Sequence, residues 1–118
     1  MTKEQMEKWV AALRSGKYAQ TDGRLRDINN DDLTISFCCL GVLADIRGVD
    51  WSNRLDFARG SDEILNDDWC GISESWQNRL ASLNDGGRNF NHIADVIACN
   101  YQDFEGDFRG PSYDPTTF

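Results

Sequence analysis

A near-continuous apolar run, residues 37–46, constrains the fold of this chain more than any other feature. It reads FCCLGVLADI within a chain that is otherwise polar. A helix that is apolar on nearly all sides has to be buried, so we expect residues 38–47 to form a central helix that Gly48 closes. Gly41 lowers the helix propensity of this segment, which indicates close approach of another backbone or of a ligand.

An amphipathic helix is predicted at the N-terminus. Thr2 and Gln5 have the spacing of a capping box, and Gly16 is a suitable end for the helix. Between them, apolar residues that would pack on the core recur at helical intervals: Met6, Trp9, Val10 and Leu13.

Two further helices are predicted in the second half of the chain. One begins after Ser73 and ends near the turn sequence NDGG at residues 84–87. The other begins at Asn89 or Asn91 and has its apolar side chains directed inward. Residues 49–72 have no clear period, and we expect loops with a short helix there.

Short strands are predicted between the first helix and the apolar run. Turn-forming clusters at residues 21–23 and 29–32 separate segments that suit two or three antiparallel strands. The predicted fold class is therefore α+β, with three to four helices packed on a short antiparallel sheet. Residues 1–100 would form one globular domain, and the aromatic-rich tail, residues 101–118, would pack on it or on a partner subunit in a homodimer.

Charge argues against a nucleic-acid polymer as the partner. The 118-residue chain has a net charge of -8, whereas phosphate neutralisation needs an excess of basic residues. The charge is uneven, because residues 1–26 hold six basic against three acidic residues. Such a surface favours a small anion. No apolar run is long enough to cross a membrane, so we expect a cytoplasmic protein without a membrane partner.

Neither a cofactor nor a metal site is predicted. The chain has no Cys-x-x-Cys pair, dinucleotide fingerprint or Walker motif, and residues 27–38 only begin like a calcium loop. Buried reduced thiols are the simplest interpretation of the cysteines. Cys38 or Cys39 at a helix start with His92 as base would be a catalytic alternative, but we assign no catalytic residue.

The best candidate binding residues are Lys17, Tyr18, Gln20, Arg24 and Arg26. Residues two apart on a strand share a face, so the tyrosine and glutamine would point together, as would the two arginines. An aromatic ring beside guanidinium groups suits a nucleotide, with stacking for the base and forked donors for phosphate. The alternative is a solvated face in which the arginines pair with nearby aspartates: Asp22, Asp27, Asp31 or Asp32.

Asn84 and Asp85 are additional candidates. In the turn before the last helix they could present an amide, a carboxylate and backbone N–H groups to a ligand. The alternative is that both side chains bond their own backbone in a helix-to-helix turn.

Three sequence blocks resemble a family of small tailed-bacteriophage proteins that usually have no assigned function. The blocks are WxxALRSGKYxQxxGxL at residues 9–25, CCLGVL at 38–43 and LNDxGxxFxxIAxxI at 83–97. The resemblance implies a counter-defence protein in the cytoplasm of the infected bacterial host. One such type captures nucleotide-derived immune signals.

The predicted function is therefore to bind and sequester a cyclic-nucleotide or ADP-ribose-type signal without turnover. Two alternatives remain open. One is an acidic protein-binding inhibitor of a host defence enzyme that imitates DNA, and the other is an enzyme that degrades the signal.

Overall fold

Four α-helices and a three-stranded sheet form the part of the chain that the computed structural model describes, residues 1–49, 51 and 71–106. In chain order they are α1 (Lys3–Arg14), β1 (Ala19–Gln20), β2 (Arg26–Ile28), β3 (Ile35–Phe37), α2 (Cys39–Ile46), α3 (Glu74–Asp85), α4 (Phe90–Asn100) and the 3-10 turn Tyr101–Asp103. The predicted α+β class is confirmed. None of the helices in the described ranges is long and apolar enough to span a membrane.

Side-chain caps explain where three of the helices begin. Thr2 and Gln5 form both hydrogen bonds of a capping box at the start of α1. Ser73 caps α3, and Asn89, rather than Asn91, caps α4 by accepting a hydrogen bond from the N–H of His92. These starts confirm the helices that the sequence predicts.

The predicted central helix is also confirmed. α2 is buried along its first six residues, Cys39 to Ala44, and Arg47 is its C-cap. Gly41 lies against the backbone of Leu25, so the close approach expected at this glycine is made by another backbone.

The sheet is mixed, which corrects the prediction of an antiparallel one. β3 lies in the middle and pairs antiparallel with β2 and parallel with β1. Residues 21–25 leave the sheet between β1 and β2 because Leu25 is fully buried against α2. β1 and β2 are therefore not hairpin partners, and the β2–β3 hairpin places its second strand between them.

Three aromatic side chains join the helices. The ring of Phe104 lies 6.3 Å from that of Trp9 and 4.8 Å from that of Trp76, and all three residues are buried. The indole N–H of Trp9 donates a hydrogen bond of 2.9 Å to the carbonyl of Cys39, which connects α1 to the start of α2. The first residues after α4 thus belong to the core.

Two sequence predictions lie largely outside the described residues. The loops and short helix expected at residues 49–72 fall mostly there, and so does most of the aromatic tail, residues 107–118.

Candidate functional site

Two groups of contacts contain most of the predicted binding residues. In the sheet register Gln20 and Arg26 are both partners of Phe37, so these three residues lie on one face of the pleat. The first group is aromatic and the second is built around an amide.

The aromatic group surrounds Phe37. The ring of Tyr18 lies 5.1 Å from that of Phe37 at an interplanar angle of 81°, and the ring of Trp51 lies 6.1 Å from it at 64°. Both are edge-to-face arrangements that aromatic rings favour. We call Tyr18, Phe37 and Trp51 the aromatic cluster. Its outer members, Tyr18 and Trp51, are half-buried and reach the surface.

A single carboxylate holds the two outer rings together. The hydroxyl of Tyr18 donates to Oδ2 of Asp45 at 2.7 Å, and the indole N–H of Trp51 donates to Oδ1 at 3.1 Å. Burial, followed by the hydrogen bond to Asp45 and its negative charge, raises the pKa of Tyr18 to about 12. Tyr18 therefore remains a neutral hydrogen-bond donor at physiological pH.

Arg26 places a positive charge on the aromatic cluster. Its guanidinium carbon lies 5.6 Å from the centroid of the Trp51 ring, within the range of a cation–π contact. The side chain is half-buried. The aromatic cluster thus has a cation against one of its outer rings, that of Trp51.

The second group, which we call the amide hub, is centred on Asn84. The side chain is only 2% exposed and has three hydrogen bonds. Its Oδ1 accepts from Nε2 of Gln20 at 3.0 Å and from the N–H of Cys39 at 3.2 Å, and its Nδ2 donates to the carbonyl of Thr21 at 2.7 Å. The structure therefore brings Gln20 and Asn84 together, and their contacts connect β1, α2 and α3.

Asp85 lies beside the amide hub and binds the loop between β1 and β2. Its Oδ1 accepts a hydrogen bond of 2.8 Å from the N–H of Gly23. Gly23 has a φ of +73°, a conformation that glycine adopts without strain. The carboxylate is itself exposed. Asn84 and Asp85 thus bond the backbone of a distant loop rather than that of their own turn.

The structure does not place Arg24 with Arg26. β2 begins at Arg26, so Arg24 lies in the preceding turn, where the alternation of a strand does not apply. It is exposed and its guanidinium lies 3.5 Å from the carboxylate of Asp27, one of the pairings that the sequence left open. Lys17 is exposed next to Tyr18 in the chain. Tyr18 and Gln20 likewise reach different partners, Asp45 and Asn84.

The adjacent cysteines are in an environment that opposes thiolate formation. Burial raises the pKa of Cys38 to about 11 and that of Cys39 well above its ordinary value. Desolvation thus outweighs the hydrogen bonds at the start of α2, which favour the thiolate. Cys99, by contrast, is exposed, so buried thiols are not the whole of the cysteine pattern. Within the described ranges no group of three or more His, Cys, Asp or Glu could hold a metal ion.

Sequence reasoning missed two members of the aromatic cluster, Phe37 and Trp51. It also missed Asp45, the carboxylate that accepts hydrogen bonds from Tyr18 and Trp51. Asp45 had a detectable signal, because it is the one charged residue in the apolar run at residues 37–46. A carboxylate on a buried helix needs hydrogen-bond donors, and aromatic N–H and O–H groups are suitable ones. The position of Trp51 had no such signal.

These features define a small α+β domain with an aromatic, cation-bearing surface next to a buried amide. Residues 1–67 match a family described as Domain of unknown function (DUF8296). The match covers more than half of the chain, and the protein belongs to this family. It includes the aromatic cluster, Arg26 and Asp45, but not Asn84 or Asp85. No curated protein and no solved structure matches the chain.

Proposed function

We propose that this protein binds a small nucleotide-type anion at the aromatic cluster and holds it without turnover. The observation that carries the proposal is the position of the Arg26 guanidinium over the Trp51 ring. Trp51 and Tyr18 both donate to the carboxylate of Asp45, so the two rings are held at the same site. Ring faces suit a nucleobase, and guanidinium groups suit phosphate.

Nearby exposed cations would complete the anion site. Lys17 is adjacent to Tyr18, and Arg24 lies two residues before Arg26. The pair between Arg24 and Asp27 is exposed at 3.5 Å, and exposed ion pairs contribute only about 0–1 kcal/mol. A phosphate group, which binds arginine through two parallel hydrogen bonds, can therefore displace Asp27.

Gln20, Asn84 and Asp85 would have a different role from the cations. Gln20 and Asn84 bond each other, and Asp85 bonds the N–H of Gly23. In the proposal this group holds the loop between β1 and β2, and Gln20 and Asp85, which are exposed, offer polar atoms to the edge of the ligand. Asn84 is buried and acts by positioning Gln20.

The resemblance to small phage proteins supports an immune signal as the ligand. A protein that sequesters such a signal binds it stoichiometrically, so it needs a tight site rather than a catalytic set. The raised pKa of Cys38 speaks against a cysteine nucleophile at neutral pH. A cyclic nucleotide or an ADP-ribose derivative is the class that we propose.

Thermal-shift screening against cyclic nucleotides and ADP-ribose derivatives tests the proposal. We expect a shift with at least one compound, release of the intact compound on heat denaturation by mass spectrometry, and loss of the shift in Lys17→Gln/Arg26→Gln. Lys8→Gln is the control for loss of one positive charge, because Lys8 is an exposed lysine of α1 that lies 3.4 Å from the carboxylate of Glu4.

Three results would contradict it. An altered nucleotide would indicate a degrading enzyme. The DNA-mimic inhibitor would show no change in melting temperature with any compound. It would bind a DNA-binding host enzyme, and the double substitution would not weaken that binding. Equal binding by wild type and the double variant would place the ligand elsewhere.

A further inference from the structure

The turn between β2 and β3 exposes two large apolar side chains. Among the residues that the structure describes, Leu33 and Ile35 are the large apolar side chains that remain in solvent, 72% and 42% exposed. Ile35 pairs with Ile28 across the hairpin, so the apolar surface continues onto β2. Asp31 and Asp32, directly before Leu33, are exposed as well. We call Asp31, Asp32, Leu33 and Ile35 the hairpin tip.

The backbone conformation of Leu33 is unfavourable. Its φ is +60°, and within the described ranges it is the one residue other than glycine with a positive φ. Steric contacts of the side chain disfavour this conformation, which glycine and asparagine adopt more readily. Leu33 thus combines backbone strain with an exposed apolar side chain.

The neighbouring residues suit the turn well. Oδ1 of Asn29 accepts from the N–H of Asp31 at 2.9 Å, and Oδ1 of Asp32 accepts from the N–H of Thr34 at 3.0 Å. These are the side-chain bonds by which Asn and Asp stabilise turns. A turn that follows local rules except at one strained, exposed leucine has the pattern that functional positions commonly show.

The charges around Leu33 restrict what can bind it. The backbone N–H and the hydroxyl of Thr34 both bond the Asp32 carboxylate, and they lower its pKa. The hairpin tip is therefore negatively charged at neutral pH, and the chain as a whole carries -8. Anionic lipid headgroups would repel such a surface, whereas a protein surface with basic residues would attract it.

We propose that the hairpin tip docks into a partner protein that presents an apolar pocket bordered by lysine or arginine side chains. Leu33 enters the pocket, Ile35 widens the apolar contact, and the two aspartates pair with the basic border. This surface uses other residues than the aromatic cluster, so the proposal goes beyond nucleotide binding and does not depend on it.

Leu33→Gly separates binding from folding. The substitution removes the apolar side chain and gives the turn a residue suited to positive φ, so the melting temperature should be equal or higher. Asn30→Gly is the matched control, an exposed residue of the same turn. Leu33→Asn, which also suits the left-handed region, is a second variant if the glycine lowers the melting temperature.

In the test, the full chain is immobilised on a support and incubated with a lysate of the cells that carry its gene. We expect a protein that wild type and Asn30→Gly retain and Leu33→Gly loses. With that protein purified, Leu33→Gly should bind at least about tenfold more weakly. Asp31→Asn/Asp32→Asn should weaken binding and reduce its salt dependence.

The proposal is overturned if no retained protein depends on Leu33, or if the purified protein binds both forms equally. It is also overturned if Leu33→Gly abolishes a concentration-dependent dimer of this chain, because a second copy would then be the occupant.

Discussion

The carbonyl oxygen of Leu25 lies so close to Gly41 that a Cβ added there would be 1.8 Å from it. The same oxygen accepts a hydrogen bond of 3.1 Å from the N–H of Cys38, the residue that caps α2. The loop after β1 and the start of the central helix are therefore fitted to each other through backbone atoms. A glycine at position 41 is a condition for this contact.

Gly41→Ala should lower the free energy of unfolding by about 3 kcal/mol or more, because the backbone has to move to admit one methyl group. The substitution raises helix propensity by about 1 kcal/mol, which is too little to compensate. Chemical denaturation measures the change. Gly106→Ala is the control, since its Cβ would have its nearest contact at 3.7 Å and should be nearly neutral. Equal stability of the two variants would contradict the close approach.

Asn84→Ala should cost about 3 kcal/mol of stability, because it leaves the buried N–H of Cys39 and the carbonyl of Thr21 without their partner. Asn91→Ala is a matched control on an exposed position of α4. Hydrogen exchange should also show faster exchange at the Cys39 amide in the Asn84 variant alone. If exchange there is unchanged, the amide hub does not act as described.

Tyr18 should make stability fall at high pH. Its pKa is about 12 in the folded state against an ordinary 10.0, so the unfolded chain loses this proton first. The contribution of Tyr18 to the free energy of unfolding is fully present below about pH 10 and is lost as the pH rises toward 12. Tyr18→Phe should remove this part of the pH dependence. Tyrosinate absorbance should likewise lose a transition near pH 12 in that variant, and an unchanged titration would contradict the raised pKa of Tyr18.

The described cysteines should differ sharply in reactivity. Cys99 is exposed, whereas Cys38 and Cys39 are buried with raised pKa values. In a Cys70→Ser background, a thiol reagent at neutral pH should modify Cys99 at least about a hundredfold faster than the adjacent pair. Mass spectrometry of the labelled peptides measures this, and Cys99→Ser is the control that should abolish the fast phase. Rapid labelling of Cys38 would revive the nucleophile hypothesis.

The helices could be predicted from the sequence because their signals are local. The capping box at Thr2 and Gln5 and the cap at Asn89 involve residues three positions apart. Gly41 was also informative, because a glycine in an apolar helix needs a compensating contact. The sheet order could not be predicted in this way. It depends on the burial of Leu25 against α2, a contact between segments far apart in the chain.

The candidate site was predictable only in part. The sequence singled out Gln20 and Asn84 separately, but they are 64 positions apart in the chain and no pattern links the two. The pairing of Arg24 with Asp27 was among the alternatives, since a charge three residues away is a local partner. No sequence pattern indicates that Trp51 contacts Phe37 and Asp45, because these contacts depend on the tertiary structure.

The amide of Asn84 and the ring of Phe104 lie outside the family match but contact residues inside it. The family match ends at residue 67, yet the indole of Trp9 and the start of α2 complete their contacts with groups beyond that residue. A fragment that ends at residue 67 would keep the residues of the family match. It would lose the contact of Trp9 with Phe104 and the hydrogen bond from the N–H of Cys39 to Asn84. The matched portion of the chain is thus shorter than the portion that supplies these core contacts.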